Sequence, residues 1–445
     1  MRGKPLMMLL ALMLSWTFIE SRSRAQGTIE NGALATGTIA TVGAIDNWNF
    51  PAKAGNTMIV RVGQTGADTA FSPSLRLLGP GGVQLASTFG AVAAEVVVRA
   101  TNSGIFTIRV SDGSNGAKQT GSYRLTLALT GDPVVVSPGD EGGPLTSGVM
   151  HLGEISTGDM DVWTVNANTG DSIIVRAGEI KAGSLLNPGI RIFGPNGAQL
   201  DTSSGPASSE VEIRAVESGV FLVVVGDGNN GIVGTGGYRL TLAAIRGSIA
   251  VSPGDEGGPM IKGVTHGGEI STGDLDVWYF SACAGEVITL QLDKTGGGTL
   301  LPWMRLYGRD GAQINTLANA TTVRITTRSI PASGTYVIVI GDGNNGIGGT
   351  GSYRLTGDGQ YGLYAGMKVC PVKSGVTLGL DGAGGVAGSY LCRDSDLRPD
   401  LATGEMETDL HEHLLNICGN HRPQPSQFRH APPVFPSHPE MIRVA

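Results

Sequence analysis

The chain has 445 residues, of which 70 are glycine, 16% are charged and only 5% are aromatic, and its formal net charge is −7. That much glycine works against a helical protein, because glycine costs a helix interior roughly 1 kcal/mol relative to alanine, and the glycines keep no collagen-like period of three. An acidic chain with scattered cations offers no electrostatic footprint for DNA, RNA or anionic lipid, while 40% hydrophobic residues in short β-branched runs can build folded cores rather than disorder.

The first 25 residues form a separate object. Arg2 and Lys4 precede an apolar stretch from Leu6 to Phe18 that is short for a bilayer, and Ser23 and Ala25 place small residues at the −3 and −1 positions of a cleavage site. The segment reads as a secretory signal peptide cut before Gln26, which takes away four cations and one anion and moves the net charge to −10. No second apolar run of spanning length follows, so the mature chain is expected to be exported, with no membrane span, and to work in the medium or at the cell surface.

The remainder is an internal repeat. Trp48, Trp163 and Trp278 lie 115 residues apart, and so do Asp46, Asp161 and Asp276, then Gly104, Gly219 and Gly334, then Tyr123, Tyr238 and Tyr353. One local slip occurs, since Arg76 and Arg191 keep the interval but Arg305 comes one residue early. A period of this length describes a whole domain rather than a solenoid unit. The reading is therefore a first repeat over 26–135, a linker and second repeat over 136–250, and a linker and third repeat over 251–358. The joints recur as Val136 to Pro144 and Val251 to Pro259, and their proline and glycine suit short, stiff linkers.

Within each copy, runs such as Met58 to Val62, Ser172 to Arg176, Phe221 to Val225 and those beginning at Tyr123, Tyr238 and Tyr353 are β-branched and leave glycine turns. Turn signals arrive every eight to twelve residues, as at Gly79-Pro80-Gly81-Gly82 and Gly194-Pro195-Asn196-Gly197. Seven or eight strands fit each copy, which predicts three tandem all-β sandwiches of jelly-roll type with few helices.

The order Gly-Glu-Ile-Ser-Thr-Gly-Asp-x-Asp-Val-Trp (Gly153 to Trp163 and Gly268 to Trp278), then Gly-Pro-Asn-Gly-Ala-Gln, then Gly-Asp-Gly-Asn-Asn-Gly, then a closing Tyr-Arg-Leu, resembles the bacterial pre-peptidase C-terminal (PPC) domain. The resemblance covers all three copies, about three quarters of the chain. It implies a β-sandwich that accompanies secreted hydrolases, particularly peptidases, and that serves secretion, substrate adhesion or surface attachment. No catalytic domain precedes the modules here.

Motifs that carry chemistry elsewhere meet structural readings in this chain. Gly139 to Pro144 is similar to the Gly-Asp-Ser-Gly-Gly-Pro stretch of chymotrypsin-like proteases, but Glu141 stands where the nucleophile belongs and the stretch recurs from Gly254, so a turn is expected. His151 and His266 read as turn or surface residues rather than bases. Gly226 to Gly231 and Gly341 to Gly346 satisfy a dinucleotide-loop glycine pattern, yet a strand follows each instead of a helix, which favours a hairpin loop.

The same loops carry hard oxygen ligands, and the candidate calcium ligands are Asp112, Asp227, Asn229, Asn230, Asp342, Asn344 and Asn345. Asp159, Asp161, Asp274 and Asp276 offer a second acidic cluster, with a turn and strand start as the competing reading.

Cys283 stands alone in the third copy, while Cys370, Cys392 and Cys418 follow it. Cys370 and Cys392 are close enough in sequence to pair in an exported protein, with connectivity left open. Over 359–445 a short β segment gives way to a tail containing His411, His413, His421, His430 and His438. Disorder, a short accessory segment, a histidine-rich metal site and a reading-frame shift in the gene are the readings for that tail.

The expectation is a non-catalytic, secreted, multi-module adhesion protein that attaches to an extracellular polysaccharide or protein, with no certain cofactor beyond candidate calcium. The alternatives are an accessory part or remnant of a secreted peptidase or polysaccharide-degrading enzyme, and a passive structural protein of the cell envelope.

Overall fold

A computed structural model describes residues 23–66, 70–229 and 232–359, together with three short strands farther along the chain. The predicted signal peptide falls almost entirely, and the tail largely, outside the described residues.

Three copies of one architecture follow each other. In module 1 the strands are β1 (Ser23–Thr28), β2 (Leu34–Ile39), β3 (Ile45–Ala52), β4 (Thr57–Gln64), β5 (Pro73–Leu78), β6 (Gln84–Phe89), β7 (Ala93–Arg99), β8 (Gly104–Asp112) and β9 (Gly121–Leu129). Module 2 repeats them as β10 (Gly142–Pro144), β11 (Met150–Ile155), β12 (Met160–Ala167), β13 (Ser172–Glu179), β14 (Pro188–Phe193), β15 (Gln199–Ser204), β16 (Ser208–Arg214), β17 (Gly219–Asp227) and β18 (Gly236–Ala244). Module 3 has β19 (Gly257–Pro259), β20 (Thr265–Ile270), β21 (Asp276–Ala282), β22 (Ile288–Lys294), β23 (Pro302–Tyr307), β24 (Gln313–Ala318), β25 (Thr322–Thr326), β26 (Gly334–Asp342) and β27 (Gly351–Gly359). Each module pairs a five-stranded sheet, such as β10-β12-β17-β14-β15, with a four-stranded one, such as β11-β18-β13-β16. The described residues contain no α-helix.

Alternation dictates the sandwich. Along β3 every second residue is buried, and Trp48, Phe50, Leu75, Leu77, Phe106, Ile108, Leu125 and Leu127 fill the space between the two sheets of module 1. Modules 2 and 3 build the same core around Trp163 and Trp278. Each module has nine strands rather than the seven or eight that the spacing suggests. The extra strand in modules 2 and 3 comes from the linker, where Gly142-Gly143-Pro144 and Gly257-Gly258-Pro259 run parallel to β12 and β21 as sheet edges. Proline suits that edge because it needs no ladder donor there. The joints are thus part of the following module rather than free spacers.

β4 and β13 break the alternation, and β13 is buried at every position. Their second faces meet the next module. Ile59 and Ala128 of module 1 pack with Met160, Val162, Phe193, Leu222 and Val224 of module 2, and Ile174 and Ala243 pack with Leu275, Val277, Tyr307, Val337 and Val339. Backbones touch at the rim, where a Cβ on Gly63 would lie 2.3 Å from the Thr157 carbonyl oxygen and one on Gly178 only 2.4 Å from Gly273 Cα.

A carboxylate with only a small part of its side chain exposed sits between two guanidiniums at each joint. Glu95 accepts from Arg61 Nε at 2.5 Å and, in bidentate fashion, from Arg191 of the next module at 2.8 and 2.8 Å. Glu210 repeats this with Arg176 Nε at 2.8 Å and Arg305 at 2.9 and 3.0 Å. Burial pushes both carboxyls up, but the paired arginines outweigh it and hold them below the ordinary value. Removing one partner of such a group leaves uncompensated charge in a dry site. Glu210→Ala is therefore expected to destabilise the chain by about 3–5 kcal/mol in denaturant unfolding; a loss below about 1 kcal/mol would mean that the joint behaves as a solvated surface pair.

Candidate metal centre

The linker turn delivers the first half of the site. Ser137-Pro138-Gly139-Asp140 closes with the Asp140 N–H on the Ser137 carbonyl at 3.1 Å, and Gly139 takes a φ of +83° that a side chain would strain. Asp140 and Glu141 then enter β10, beside the start of β12. The turn before β12 supplies Asp159, whose carboxylate accepts the Ser156 and Met160 N–H groups at 3.3 and 3.1 Å. Asp161, on β12, is wholly buried.

Asp161 is the end of a relay. Trp163 Nε1 donates to Tyr238 Oη at 3.0 Å, and Tyr238 donates in turn to Asp161 Oδ2. The other oxygen, Oδ1, is buried without a hydrogen-bond partner. Module 3 repeats the arrangement: Trp278 donates to Tyr353 at 2.9 Å and Tyr353 to Asp276 Oδ2 at 2.5 Å, and the Oδ1 atoms of both Asp276 and Asp274 have no partner. Ligand oxygens of Asp140, Glu141 and Asp161 lie within 4.8 Å of one another, as do those of Asp255, Asp274 and Asp276. Two oxygens on opposite sides of a calcium ion, each at about 2.4 Å, are about 4.8 Å apart. The donor set is hard oxygen throughout, and a buried carboxylate oxygen with no donor suits a cation better than water.

Electrostatics agree. Burial first, then the neighbouring acids, push Asp161 up to about 9, Asp140 and Asp274 to about 6 each, and Asp276 well above the usual carboxylate range. Arg124 of module 1 reaches Asp159 at 3.6 Å, one cation near four acids. Module 1 has the relay itself, with Trp48 on Tyr123 at 2.9 Å and Tyr123 on Asp46 at 2.8 Å, but Ala25, Gln26 and Ala44 occupy the places of Asp140, Glu141 and Asp159.

The predicted calcium loops use their carboxylates in another way. Asp227 Oδ1 accepts the Asn187 N–H at 3.0 Å and Asn229 Nδ2 at 3.1 Å, while Oδ2 accepts the Gly234 N–H at 2.8 Å. Asp342 holds Leu301, Asn344 and Gly349 in the same pattern at 2.8, 2.9 and 2.8 Å, and Asp112 holds Ser72, Ser114 and Gln119. Donors therefore face both oxygens of each aspartate, and a cation would have to displace them. Asn344 and Asn345 line a shallow cleft of about 830 Å³ between modules 2 and 3, and Asn230 lies outside the described residues.

His151 accepts the Thr146 N–H at 3.3 Å and sits edge-on against Trp163, and His266 does the same with Ile261 at 3.0 Å and Trp278. Both pin the linker. Cys283 is buried and disulfide-bonded; the side chains of Cys370, Cys392 and Cys418 lie outside the description.

Two expectations follow from these geometries. Because the folded chain holds protons on Asp161 and Asp276 that the unfolded chain releases near pH 4, their contribution is full below that pH and is lost as pH rises, towards 9 for Asp161, by about 1.4 kcal/mol per unit at most for each group. In EDTA the unfolding midpoint should fall over that window, and D161N with D276N should flatten the fall; an unchanged slope in the double variant would place the protons elsewhere. Asp227→Ala should remove the clamp on three donors and destabilise by about 1–3 kcal/mol equally in calcium and in EDTA. A loss confined to calcium would return that loop to the metal sites.

No family model matches the sequence, and no curated protein matches it. Among solved structures, the pre-peptidase C-terminal domain of a collagenase from Bacillus anthracis is 18% identical, with 24% of this chain and all of that one covered and a TM-score of 0.20. The CUB1-EGF-CUB2 segment of human MASP-1/3 is 12% identical over 47% of this chain and 99% of that one, with a TM-score of 0.15. The M60 catalytic domain with the CBM51-1 and CBM51-2 domains of Clostridium perfringens ZmpB is 8% identical over 69% of this chain and 33% of that one, with a TM-score of 0.14.

Proposed function

We propose that the chain is an exported, non-catalytic binding protein of three PPC-like modules whose two acidic clusters take calcium, and whose exposed loops and sheet edges engage an extracellular polysaccharide or protein. The observation that carries the cation reading is the repeated buried aspartate, Asp161 and Asp276, with one oxygen on tyrosine and the other without a partner. Its recurrence at the same place in two modules, each time with linker acids 21 residues upstream, makes an accidental cluster a poor account. Calcium is the natural occupant because it accepts several carboxylates in irregular geometry and is plentiful outside cells.

The non-catalytic reading rests on what the buried and half-buried titratable groups already do. Asp46, Asp161 and Asp276 hold tyrosines, Asp112, Asp227 and Asp342 hold loops, Glu95 and Glu210 hold arginines, and His151 and His266 hold linkers. The binding reading rests on module repetition, which lets weak contacts along one chain add through effective concentration.

The test is thermal unfolding of the mature chain in millimolar calcium and in EDTA at pH 8. A site filled to ten times its Kd should add about 1.4 kcal/mol, and the gain should disappear in a variant carrying D140N, D161N, D255N and D276N. No shift in the parent chain, or a shift that survives in the variant, overturns the assignment. Retention of the same chain on immobilised glycans or collagen-like protein, compared with and without calcium, tests the binding reading separately.

A further inference from the structure

The two interior joints use one pair of faces, and among the described residues each face recurs once more, at either end of the row, without a module against it. Module 1 presents to module 2 the outer face of its four-stranded sheet, and module 2 presents the equivalent face to module 3. Module 3 has the same face, and among the described residues no further module docks on it. Arg354 and Thr356 keep the residue types of Arg239 and Thr241, which touch the next module's turn, but the apolar, charged and glycine positions of the joint all change. Ile59 and Ile174 become Thr289, Arg61 and Arg176 become Gln291, and Ala128 and Ala243 become Asp358. The strand partner of Gln291 is Arg324, where Arg61 and Arg176 face Glu95 and Glu210. Gly63 and Gly178, whose missing side chains let the next module's turn touch the backbone, become Asp293.

Asp293 is held upright in that position. It accepts from Gln291 Nε2 at 3.0 Å, Thr322 Oγ1 at 2.9 Å and Arg354 Nη2 at 3.1 Å, so the face is a closed polar network with a side chain in the place that docking requires to be empty.

The opposite end shows the complementary change. Val162 and Val277 correspond to Asn47, Val224 and Val339 to Arg109, and Leu222 and Val337 to Thr107. In modules 2 and 3 these six side chains are buried against the preceding module. In module 1 the three polar ones satisfy each other and their neighbour, with Arg109 Nε on Asn47 Oδ1 at 3.2 Å and Thr107 Oγ1 on Asn49 Oδ1 at 2.8 Å.

We propose that both end faces are caps, which keep a second copy of this chain from docking end to end. The joint is head-to-tail, and a head-to-tail contact that does not close on itself propagates into filaments when both faces stay open. Three modules with apolar ends would carry that hazard at every encounter between copies. The caps remove it at both faces at once, by polar groups that docking would strip of water in exchange for an apolar partner face and by a carboxylate that collides with the incoming backbone.

Sedimentation velocity of the mature chain over a wide concentration range tests the proposal. The parent chain should remain monomeric. A variant with interior residues restored at both ends, N47V, T107L and R109V with T289I, Q291R, D293G, R324E and D358A, should assemble so that its apparent mass at least doubles and grows with concentration. Self-association of the parent through these faces, or a folded variant that stays monomeric, overturns it. A second variant guards against misfolding of the first: Gly178→Asp puts the capping residue into an interior joint, and modules 2 and 3 should then undock, with a larger radius of gyration and separate unfolding steps. An unchanged radius and a single transition would show that the carboxylate does not block docking.

Discussion

The structure depends on a carboxylate buried between two arginines that belong to successive modules. Glu95 receives Arg61 from its own sheet and Arg191 from the next module, and Glu210 does the same with Arg176 and Arg305. A single hydrophobic contact between modules could slide, because apolar attraction has no direction. A bidentate guanidinium on a dry carboxylate cannot, since any shift leaves charge unpaired. The surrounding apolar residues supply most of the attraction, and the triad sets the register in which they meet.

That register brings the turn carrying Asp159 against module 1, where the Arg61 guanidinium donates to the Asp159 carbonyl at 3.1 Å and Arg124 faces its carboxylate. The equivalent turn in module 3 receives Arg239 on the Thr272 carbonyl at 2.9 Å. The acidic clusters therefore sit where a linker, a module start and the preceding module converge. Burial there disfavours several free negative charges, which is why Asp161 and Asp276 are pushed towards holding protons. Module 1 lacks the acids, and its Asp46 is served by Tyr123 alone among the described contacts. The acids thus follow the joints and not the sandwich fold.

Much of this was legible in the sequence. The 115-residue interval, the glycine turns and the alternating runs led to three sandwiches, because strand periodicity and turn chemistry are local properties. Asp161 and Asp276 were visible as a candidate cluster, but their linker partners were not: Asp140 and Asp255 sit inside a Pro-Gly stretch that reads as a turn, and it is both a turn and half of a site. In the Asp-Gly-Asn-Asn loops, oxygen-rich composition does not say whether the oxygens face a cation or backbone N–H groups, and here the aspartate oxygens accept N–H groups. The joint triads escaped for a similar reason. Arg61, Arg176 and Arg305 were readable only as charges in apolar strands, and pairing through a sheet face of another module leaves no local pattern. The one available signal was that β13 has no polar alternation, which is how a strand buried on both faces reads.

Fixed joints change what repetition can accomplish. Modules on loose tethers search many arrangements, and the second contact with a polymer gains only what the linker allows. Here the joints bury arginine, glutamate and apolar side chains together, and the linker itself is a strand of the next sheet. Spacing between equivalent loops is then set by packing, so a ligand with a regular repeat meets sites at a constant interval. Such rigidity raises affinity for a polymer whose period matches and lowers it for one whose period does not, because a stiff array cannot adjust at the second contact. In the proposed binding role, selectivity would thus reside in the distance between modules as much as in any single loop.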